Sequence, residues 1–287
     1  MAWPVDGRGR GLVPRGVGAM SEQEFHDRFV ETVVHTAIPL LEGLGFPEGL
    51  DETQARLFHA TYLQHFSFFA WKFPSWLMSI ASQCPHQDIR RGIIEDCVDE
   101  EVSDVDAGGR CHIDVLYDEA EACGMMRDVI AATEPTPIVL ACIHAFENLS
   151  RTLGWEASYA AISALEIMQS EPAVKLRNKM MADKVAAGGV IVKRRGRDAE
   201  SLGELTGLPA EQMVFAALHA YKDQFHGGGE LAMLVKYGAT REVQDKMLWA
   251  AKAGAQVYAV MRQEIDRVAR AAVGLAPLNL AAVGQGS

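Results

Sequence analysis

The feature that most constrains this chain is a helical spacing of apolar residues, which repeats along most of its length. Apolar residues recur three and four positions apart, as in amphipathic helices, in eight segments: 21–44, 51–83, 86–103, 112–124, 136–152, 155–183, 209–238 and 240–272. The period-two alternation of strands is scarce, and only 188–198 could hold a short strand. We therefore predict an all-α protein, a bundle of about seven to eight helices around one core.

Length and composition fit a single helical domain. The chain has 287 residues, of which 49% are hydrophobic and 23% charged, a composition typical of globular proteins. We place the domain at 20–275. Residues 1–19 contain "LVPRG", which resembles a thrombin-cleavage linker, so we interpret them as a tag or an upstream disordered segment. Residues 276–287 are expected to form a disordered tail.

Charge and cysteine usage exclude several functions. The formal net charge is −11, which argues against binding to a nucleic-acid backbone, and the basic run at 192–197 is predicted to be a solvated loop. No apolar run approaches the roughly 20 residues of a membrane span. The five cysteines contain no CxxC pair and predict free thiols. We expect a cytoplasmic protein that contacts neither nucleic acid nor membrane.

The segment "HAYKDQFH" places His219, Asp223 and His226 on one helical face. At 100° per residue the three side chains span an arc of about 60°. The neighbouring "VFAAL" is apolar, so this arc should face the core, where imidazoles and carboxylates need partners. A divalent cation would satisfy both types. The alternative is a hydrogen-bonded ladder on a partly wet face.

Further ligands would come from other helices. The acidic run near 95–104 supplies Asp99, Glu100 and Glu101, and His112 follows it. Glu166 is isolated in an otherwise apolar run, where it is either a ligand or an exposed residue at the edge of the helix.

These motifs, in this order, resemble the haem-oxygenase-like dimetal oxidases and oxygenases. The matching segments are "VDEE" followed by "HIDVL", then "ALEIMQ", then "HAYKDQFH", and the layout is similar to that of the chlamydial death-domain-associating protein and of thiaminase-II-like proteins. The resemblance implies a haem-oxygenase-like helical fold and a diiron site.

The resemblance also implies a set of metal ligands. One metal would take Glu100, His112 and His219, the other would take Asp223 and His226, and Glu166 would complete or bridge the site. Glu100, Glu166 and Asp223 would also be the catalytic carboxylates. The self-sacrificing tyrosine chemistry of the chlamydial protein is not transferred, because His35-Thr36-Ala37 lacks the corresponding tyrosine.

The spacing of Glu100 and His112 departs from that of the relatives. These residues are twelve apart, with "DVDAGG" between them, so the helix must bulge or break there. On an unbroken helix Glu101 would lie about 20° from His112, which makes Glu101 the alternative ligand. We favour Glu100, because Gly108 and Gly109 would destabilise a continuous helix by about 1 kcal/mol each.

The resemblance implies Fe(2+), two per chain, with O2 as co-substrate and room for an external electron donor. We predict a homodimer that oxidises a small amino acid or amino-acid-derived metabolite by desaturation, C–C cleavage or N-oxygenation. The alternatives are oxidation of a fatty acid, or a metal-free thiaminase-like hydrolase or binding protein of the same fold.

Substrate-binding candidates are His65, Lys72 and Arg177. His65 and Lys72 share one helical face within the aromatic stretch at 62–76. That stretch could roof an apolar pocket, although aromatic residues at helical spacing are more often core. Each of the three cationic side chains could pair with a substrate carboxylate or lie on a solvated edge.

Overall fold

In the computed structural model of the protein, residues 16–188 and 199–278 are described, except for the side chains at positions 220, 221 and 223–226. The described residues form eleven α-helices and one 3₁₀ helix: α1 (Glu22–Leu41), α2 (Glu52–Gln83), α3 (Gln87–Glu101), α4 (His112–Ala122), α5 (Arg127–Ala131), α6 (Pro137–Thr152), α7 (Trp155–Ile167), α8 (Glu171–Ala186), α9 (Ala199–Thr206), the 3₁₀ helix (Ala210–Gln212), α10 (Val214–Tyr237) and α11 (Arg241–Ala272). Their only β pairing is an isolated bridge between Asp104 and Arg110. The all-α prediction is confirmed.

The structure contains more helices than the seven to eight expected. The periodic segment 155–183 is two helices, α7 and α8, because Pro172 lies in the first turn of α8 and favours a new helix start there. Helices α5 and α9 have five and eight residues, which is too short for a clear apolar repeat. The strand expected at 188–198 lies outside the described residues, apart from Gly188.

The segment expected to precede the domain lies outside the described residues up to position 15. From there the chain contacts the end of the bundle where α10 turns into α11. The Gly16 N–H donates to the Ala239 carbonyl oxygen at 2.7 Å, and the Met20 N–H donates to Gln244 Oε1 at 2.8 Å. Residues 16–20 therefore pack against the turn between the last two helices.

Side-chain caps fix the starts of the two long N-terminal helices. Ser21 and Glu24 form a reciprocal capping box at α1, and Asp51 and Gln54 form one at α2. Each box satisfies two backbone N–H groups that would otherwise lack partners within the helix. These caps are local, so the helix starts they define can be read directly from the sequence.

Helix α7 runs through the centre of the bundle. It packs against α2, α6, α10 and α11, and eleven of its thirteen residues are buried. Six of its thirteen residues are alanine or serine, which lets the neighbouring helices approach closely. A carboxylate on such a helix, as at Glu166, is therefore an exception to its composition.

Two glycines permit the closest of these approaches. A Cβ atom at Gly227 of α10 would lie 2.6 Å from the Glu166 carbonyl oxygen of α7, and one at Gly254 of α11 would overlap the Ala161 carbonyl oxygen. Neither helix could keep its position with a larger residue. The backbone of α10 thus meets α7 at Gly227, the residue after His226, and the part of α7 that it meets there is the Glu166 carbonyl group.

The aromatic stretch of α2 lies mainly in the core. Phe66, Phe69, Phe73 and Trp76 are buried, and the Phe69 ring lies 5.4 Å from the Trp76 ring and 5.6 Å from that of Phe146 on α6. Most of the stretch therefore packs the bundle, as expected of aromatic residues at helical spacing.

Candidate metal centre

A compact loop joins α3 to α4 and reverses the chain. Helix α3 ends at Glu101 and α4 begins at His112. The Asp104 N–H donates to the Arg110 carbonyl oxygen at 2.9 Å, and the Gly109 N–H donates to the Asp104 carbonyl oxygen at 2.7 Å. These bonds close the loop on itself, so the first residue of α4 returns to the end of α3.

The glycines of this loop have backbone angles that other residues rarely adopt. Gly108 has φ 69° and Gly109 has φ 80°, both in the left-handed region. The helix therefore ends at Glu101, before "DVDAGG", and the break that follows turns the chain. This break brings His112 next to Glu100, while Glu101 is exposed.

Three side chains converge where α3, α4 and α10 meet. Glu100, His112 and His219 each present one donor atom, and these atoms all lie within 4.8 Å of one another. His112 is buried, and the other two are partly buried. The His112 and His219 ring centroids are 5.1 Å apart. Two imidazoles and a carboxylate at this separation could hold a divalent metal ion.

The two nitrogens of His112 face different carboxylates. Nε2 lies 2.8 Å from Asp104 Oδ2 and is hydrogen-bonded to it. Nδ1 lies 2.9 Å from Glu100 Oε1 but has no aligned hydrogen-bond partner among the described residues. If Nε2 carries the proton given to Asp104, the Nδ1 lone pair and the Glu100 oxygen face each other as two acceptors. A cation between them, a proton or a metal ion, is then required.

The protonation of His112 reflects this arrangement. Burial alone would lower its pKa, but the carboxylates of Glu100 and Asp104 outweigh burial and raise the pKa to about 9. In the metal-free protein at neutral pH, a proton therefore occupies the position that a metal ion would take.

Asp104 orients the His112 ring through Nε2, the nitrogen that does not face Glu100. It is fully buried and accepts hydrogen bonds from His112, from the Asp106 N–H at 2.8 Å and from Lys222 at 2.9 Å. Burial alone would raise the pKa of Asp104, but these bonds lower it to about 2. A carboxylate behind a histidine in this way fixes the ring and its tautomer, as partners of metal-bound histidines do.

Lys222 connects the loop to α10. Its Nζ lies 2.8 Å from Asp99 Oδ2, 2.9 Å from Asp104 Oδ1 and 3.3 Å from Asp106 Oδ2. This one cation, three residues after His219, neutralises part of the acidic loop. It thereby holds the His219 turn of α10 against the α3–α4 loop.

The orientation of His219 is set by its own helix. Its Nδ1 lies 2.9 Å from the Phe215 carbonyl oxygen, so the Nδ1–H group donates a hydrogen bond to that oxygen. The lone pair of Nε2 is then the one that can bind a metal ion. The rings of Phe215 and His219 also pack at 4.2 Å between centroids. His219 is thus held in the tautomer that binds metals through Nε2.

A buried contact between Glu119 and His59 fixes the start of α10. Glu119 Oε2 accepts the Ala216 N–H at 3.1 Å, and Oε1 lies 2.7 Å from His59 Nε2. Both side chains are buried. Glu119 therefore ties α2, α4 and the first turn of α10 together, one turn before His219.

Asp223 and His226 lie further along α10, but their side chains fall outside the described residues. Their backbone continues the α-helix, which runs without a break through the three glycines that follow. Because Gly227 touches the Glu166 carbonyl oxygen, the backbones of His226 and Glu166 are adjacent. Glu166 is partly buried and is not a member of the three-residue cluster.

Further acidic side chains lie near Glu100 on α3. Asp96, one turn before Glu100, has its pKa raised to about 7 by burial and by the charges of Asp99, Glu100 and Glu95. Burial also raises the pKa of Tyr159 on α7, as do Glu230, Asp96 and Glu166. Carboxylates of three helices therefore act on the buried Tyr159, and added positive charge near it would be stabilising.

One family comparison decides the class of this protein. A family described as "iron-containing redox enzyme" matches residues 60–259, which include Glu100, His112, Glu166, His219, Asp223 and His226. The chain belongs to this family of iron-containing redox enzymes. The match supports the predicted resemblance, and it supports iron as the metal for which these donors are suited.

Among solved structures, this redox-family chain is similar to a TenA homologue from Pseudomonas syringae pv. tomato. The TM-score is 0.53 at 12% identity, with 88% of this chain and 98% of that chain covered. At this identity the similarity shows the fold alone, which is that of the haem-oxygenase-like bundle expected from the sequence. None of the curated proteins searched matches the chain.

In this family member, the three predicted substrate-binding side chains lie in different environments. His65 is buried on α2, and burial lowers its pKa. Lys72 is exposed. Arg177 is partly buried on α8, and burial lowers its pKa. Of the three, Lys72 is the one whose side chain is exposed to solvent.

Sequence reasoning did not single out Asp104, Lys222 or Asp96 of this iron-family site. Asp104 lies in the "DVDAGG" segment, and Lys222 is three residues after His219, so both were within motifs already identified. Their roles depend on a contact between the loop and α10.

In the described part of the chain, no helix combines the length and apolar composition of a membrane span.

Proposed function

We propose that the protein is a non-haem diiron oxidoreductase that activates O2 and oxidises a small amino acid or an amino-acid-derived metabolite. The observation that carries the proposal is the pairing of His112 Nδ1 with Glu100 Oε1 at 2.9 Å, without hydrogen-bond alignment, beside His219. The His112 nitrogen and the Glu100 oxygen lie this close together with a ring nitrogen of His219 beside them, and a metal cation could bind to all three atoms.

Six donors would hold the two irons. Glu100, His112 and His219 would bind one ion. Asp223 and His226 would bind the other, and Glu166 would complete or bridge the pair. The adjacency of the Gly227 backbone to Glu166 supports the inclusion of Glu166, because it brings the helix of Asp223 and His226 against α7 there. Three carboxylates and three imidazoles would offset most of the charge of two ferrous ions.

Bound ferrous ions would supply the electrons that reduce O2. The described residues account for the rest of the centre. Asp104 and Lys222 hold His112 and the His219 turn of α10 in place. Buried aromatic side chains near His219, among them Phe215, limit access of water. Desaturation, C–C cleavage and N-oxygenation are all consistent with such a centre.

The second candidate is a thiaminase-like hydrolase, which the fold similarity to the TenA homologue favours. Such an enzyme would need a reactive cysteine nucleophile, whose thiol pKa is lowered. All five cysteines are free, and burial raises the pKa of each, to about 12 for Cys97 and Cys123. These thiols are therefore poor nucleophiles, and we favour the oxidoreductase.

Iron content tests the proposal. Purified protein is loaded with Fe(II) without O2, desalted, and its iron counted by inductively coupled plasma mass spectrometry. We expect two irons per chain in the wild-type protein and fewer in Asp223→Ala, with unchanged helical circular dichroism. Wild-type protein that retains no iron after desalting would contradict the proposal and favour the hydrolase instead.

Oxygen consumption tests the substrate class. The iron-loaded protein is mixed with O2 and a panel of amino acids or medium-chain fatty acids, and consumption is followed with an oxygen electrode. We expect at least one amino acid to accelerate consumption while the fatty acids do not. Acceleration by fatty acids alone would support the fatty-acid alternative.

A further inference from the structure

Arg262 of α11 extends its guanidinium group into a box of aromatic rings. The guanidinium carbon lies 5.0 Å from the centroid of Tyr62, 5.4 Å from that of Tyr258 and 5.7 Å from that of Phe66. Nη1 donates a hydrogen bond to the Tyr258 hydroxyl oxygen at 2.6 Å. Three rings from two helices thus surround one cation.

The guanidinium group in this box forms no ion pair among the described residues, although the charge of Asp266 helps to raise its pKa. Its Nε is buried without a hydrogen-bond acceptor, and no described carboxylate lies within ion-pair distance. Asp266, one turn further along α11, is bonded instead to Arg270 at 2.6 Å and to the Gly45 N–H at 3.2 Å. Guanidinium carries five N–H donors, and among the described side chains only Tyr258 accepts a hydrogen bond from it.

Arg262 is partly buried, and its Nε atom is buried without a hydrogen-bond acceptor. Buried charges are generally paired or bonded to polar groups. Aromatic rings attract a cation through their faces, but they do not replace the hydrogen bonds that its N–H groups made to water. A planar anion that accepts two parallel N–H bonds would do so, and carboxylate has that geometry.

The aromatic box shares a wall with the candidate metal centre. The Phe66 ring, which faces Arg262, also lies 6.1 Å from the ring of Phe215. The Phe215 ring in turn packs on His219 at 4.2 Å. Phe66 and Phe215 therefore form a continuous row of apolar rings between Arg262 and His219.

We propose that Arg262 binds the carboxylate of the substrate, whose carbon chain runs along Phe66 towards the metal centre. The inference rests on the proposed oxidase function and narrows its substrate to an acid. Neither His65 nor Lys72 fits this role as well. Burial lowers the pKa of His65 and so favours its neutral form, and Lys72 is exposed.

Binding of short probe molecules tests the anchor without turnover. Hexanoate, 2-aminohexanoate and the uncharged hexanamide are titrated by calorimetry into iron-free protein and into anaerobic Fe(II)-loaded protein. We expect at least one of the two acids to bind the iron-free protein about tenfold more tightly than hexanamide, because the charge-assisted bonds to Arg262 are lost with the amide. The tighter of the two acids identifies the class, amino acid or fatty acid.

Variants connect that preference to Arg262. We expect Arg262→Met to abolish the preference for acid over amide and Arg262→Lys to retain part of it, because lysine keeps the charge but not the planar fork. Arg267→Met is the matched control, since Arg267 is a more exposed arginine on the same helix that pairs with Glu264. This control should bind the probes as the wild-type protein does.

The outcomes separate this inference from the proposed function. Equal binding of acids and amide to iron-free wild-type protein would overturn the anchor, whatever its iron content. An unchanged acid preference in the Arg262 variants would overturn it as well. If Arg262→Met does not fold, the comparison of wild type with Arg262→Lys still decides. Acid preference in a protein that retains no iron would instead support the anchor and contradict the oxidase.

Discussion

His112 donates from Nε2 to Asp104 Oδ2 at 2.8 Å, and Asp104 is fully buried. The bond joins the first residue of α4 to the loop that precedes it. Because Lys222 contacts the other oxygen of the same carboxylate, the orientation of one proposed iron ligand depends on the position of α10, which carries another. The proposed ligands are thus coupled through a residue that would not itself bind iron.

Asp104→Asn should weaken iron binding without unfolding the protein. The amide can no longer act as a charged acceptor for both His112 and Lys222, and loss of such outer partners typically costs about 10-fold to 100-fold in metal affinity. Competition with a chelator for Fe(II) under anaerobic conditions measures this. Asp106→Asn is the control, because Asp106 is exposed and lies 3.3 Å from Lys222. Equal losses in both variants would mean that the acidic loop acts only through its overall charge.

Glu100→Gln should reduce the iron content, whereas Glu101→Gln should leave it near that of the wild-type protein. The chain break places Glu100 at 2.9 Å from His112 and leaves Glu101 exposed. The two variants remove the same charge from adjacent positions, so they control for each other. Iron counting after anaerobic loading distinguishes them, and a larger loss in Glu101→Gln would indicate the register of an unbroken helix.

Iron affinity should rise with pH between about 6 and 8. The pKa of His112 is raised to about 9, so Fe(II) must displace a proton throughout this range, and each pH unit should strengthen binding by up to about tenfold. Anaerobic titration of Fe(II) at several pH values tests this. An affinity that does not change with pH would show that His112 is not a ligand.

The same shift predicts the opposite trend for the iron-free fold. A histidine whose pKa is higher in the folded state stabilises the fold fully below its unfolded pKa, near 6.5, and loses that contribution as the pH rises through about 9. The loss should be about 1 to 3 kcal/mol. Urea unfolding of iron-free protein at pH 6.5 and pH 9.5 measures it, and the His112→Gln variant should not show this pH-dependent loss.

Gly227→Ala should destabilise the protein by about 1 to 3 kcal/mol, the usual cost of overpacking. The new Cβ would lie 2.6 Å from the Glu166 carbonyl oxygen, and backbone cannot move aside as a side chain can. Gly228→Ala is the control, because a Cβ there meets nothing within 4 Å and alanine favours the helix by up to about 1 kcal/mol. Urea unfolding should therefore move in opposite directions for adjacent substitutions, and parallel shifts would contradict the close crossing of α10 and α7.

Three glycines follow His226 in the sequence. In the structure α10 continues through all three, and Gly227 is explained by its contact with α7. The sequence could not reveal this, because a glycine required for close packing and a glycine that permits bending have the same local signature. The difference depends on which helix lies opposite.

What the sequence determined by itself is most of the long helices and the order of the proposed ligands. Apolar spacing is local, so it predicted the long helices to within a few residues, and local caps at Ser21 and Asp51 fix where the first two of them begin. The spacing of His219, Asp223 and His226 along one face follows from the helical repeat alone.

Contacts between residues distant in the sequence required the tertiary structure, because they depend on how the chain reverses and how the helices cross. The loop after Glu101 decided that Glu100 rather than Glu101 meets His112, and the packing of α10 on that loop gave Asp104 and Lys222 their roles. Packing of α2 against α11 placed Arg262 among aromatic rings, which no spacing along either helix could have shown.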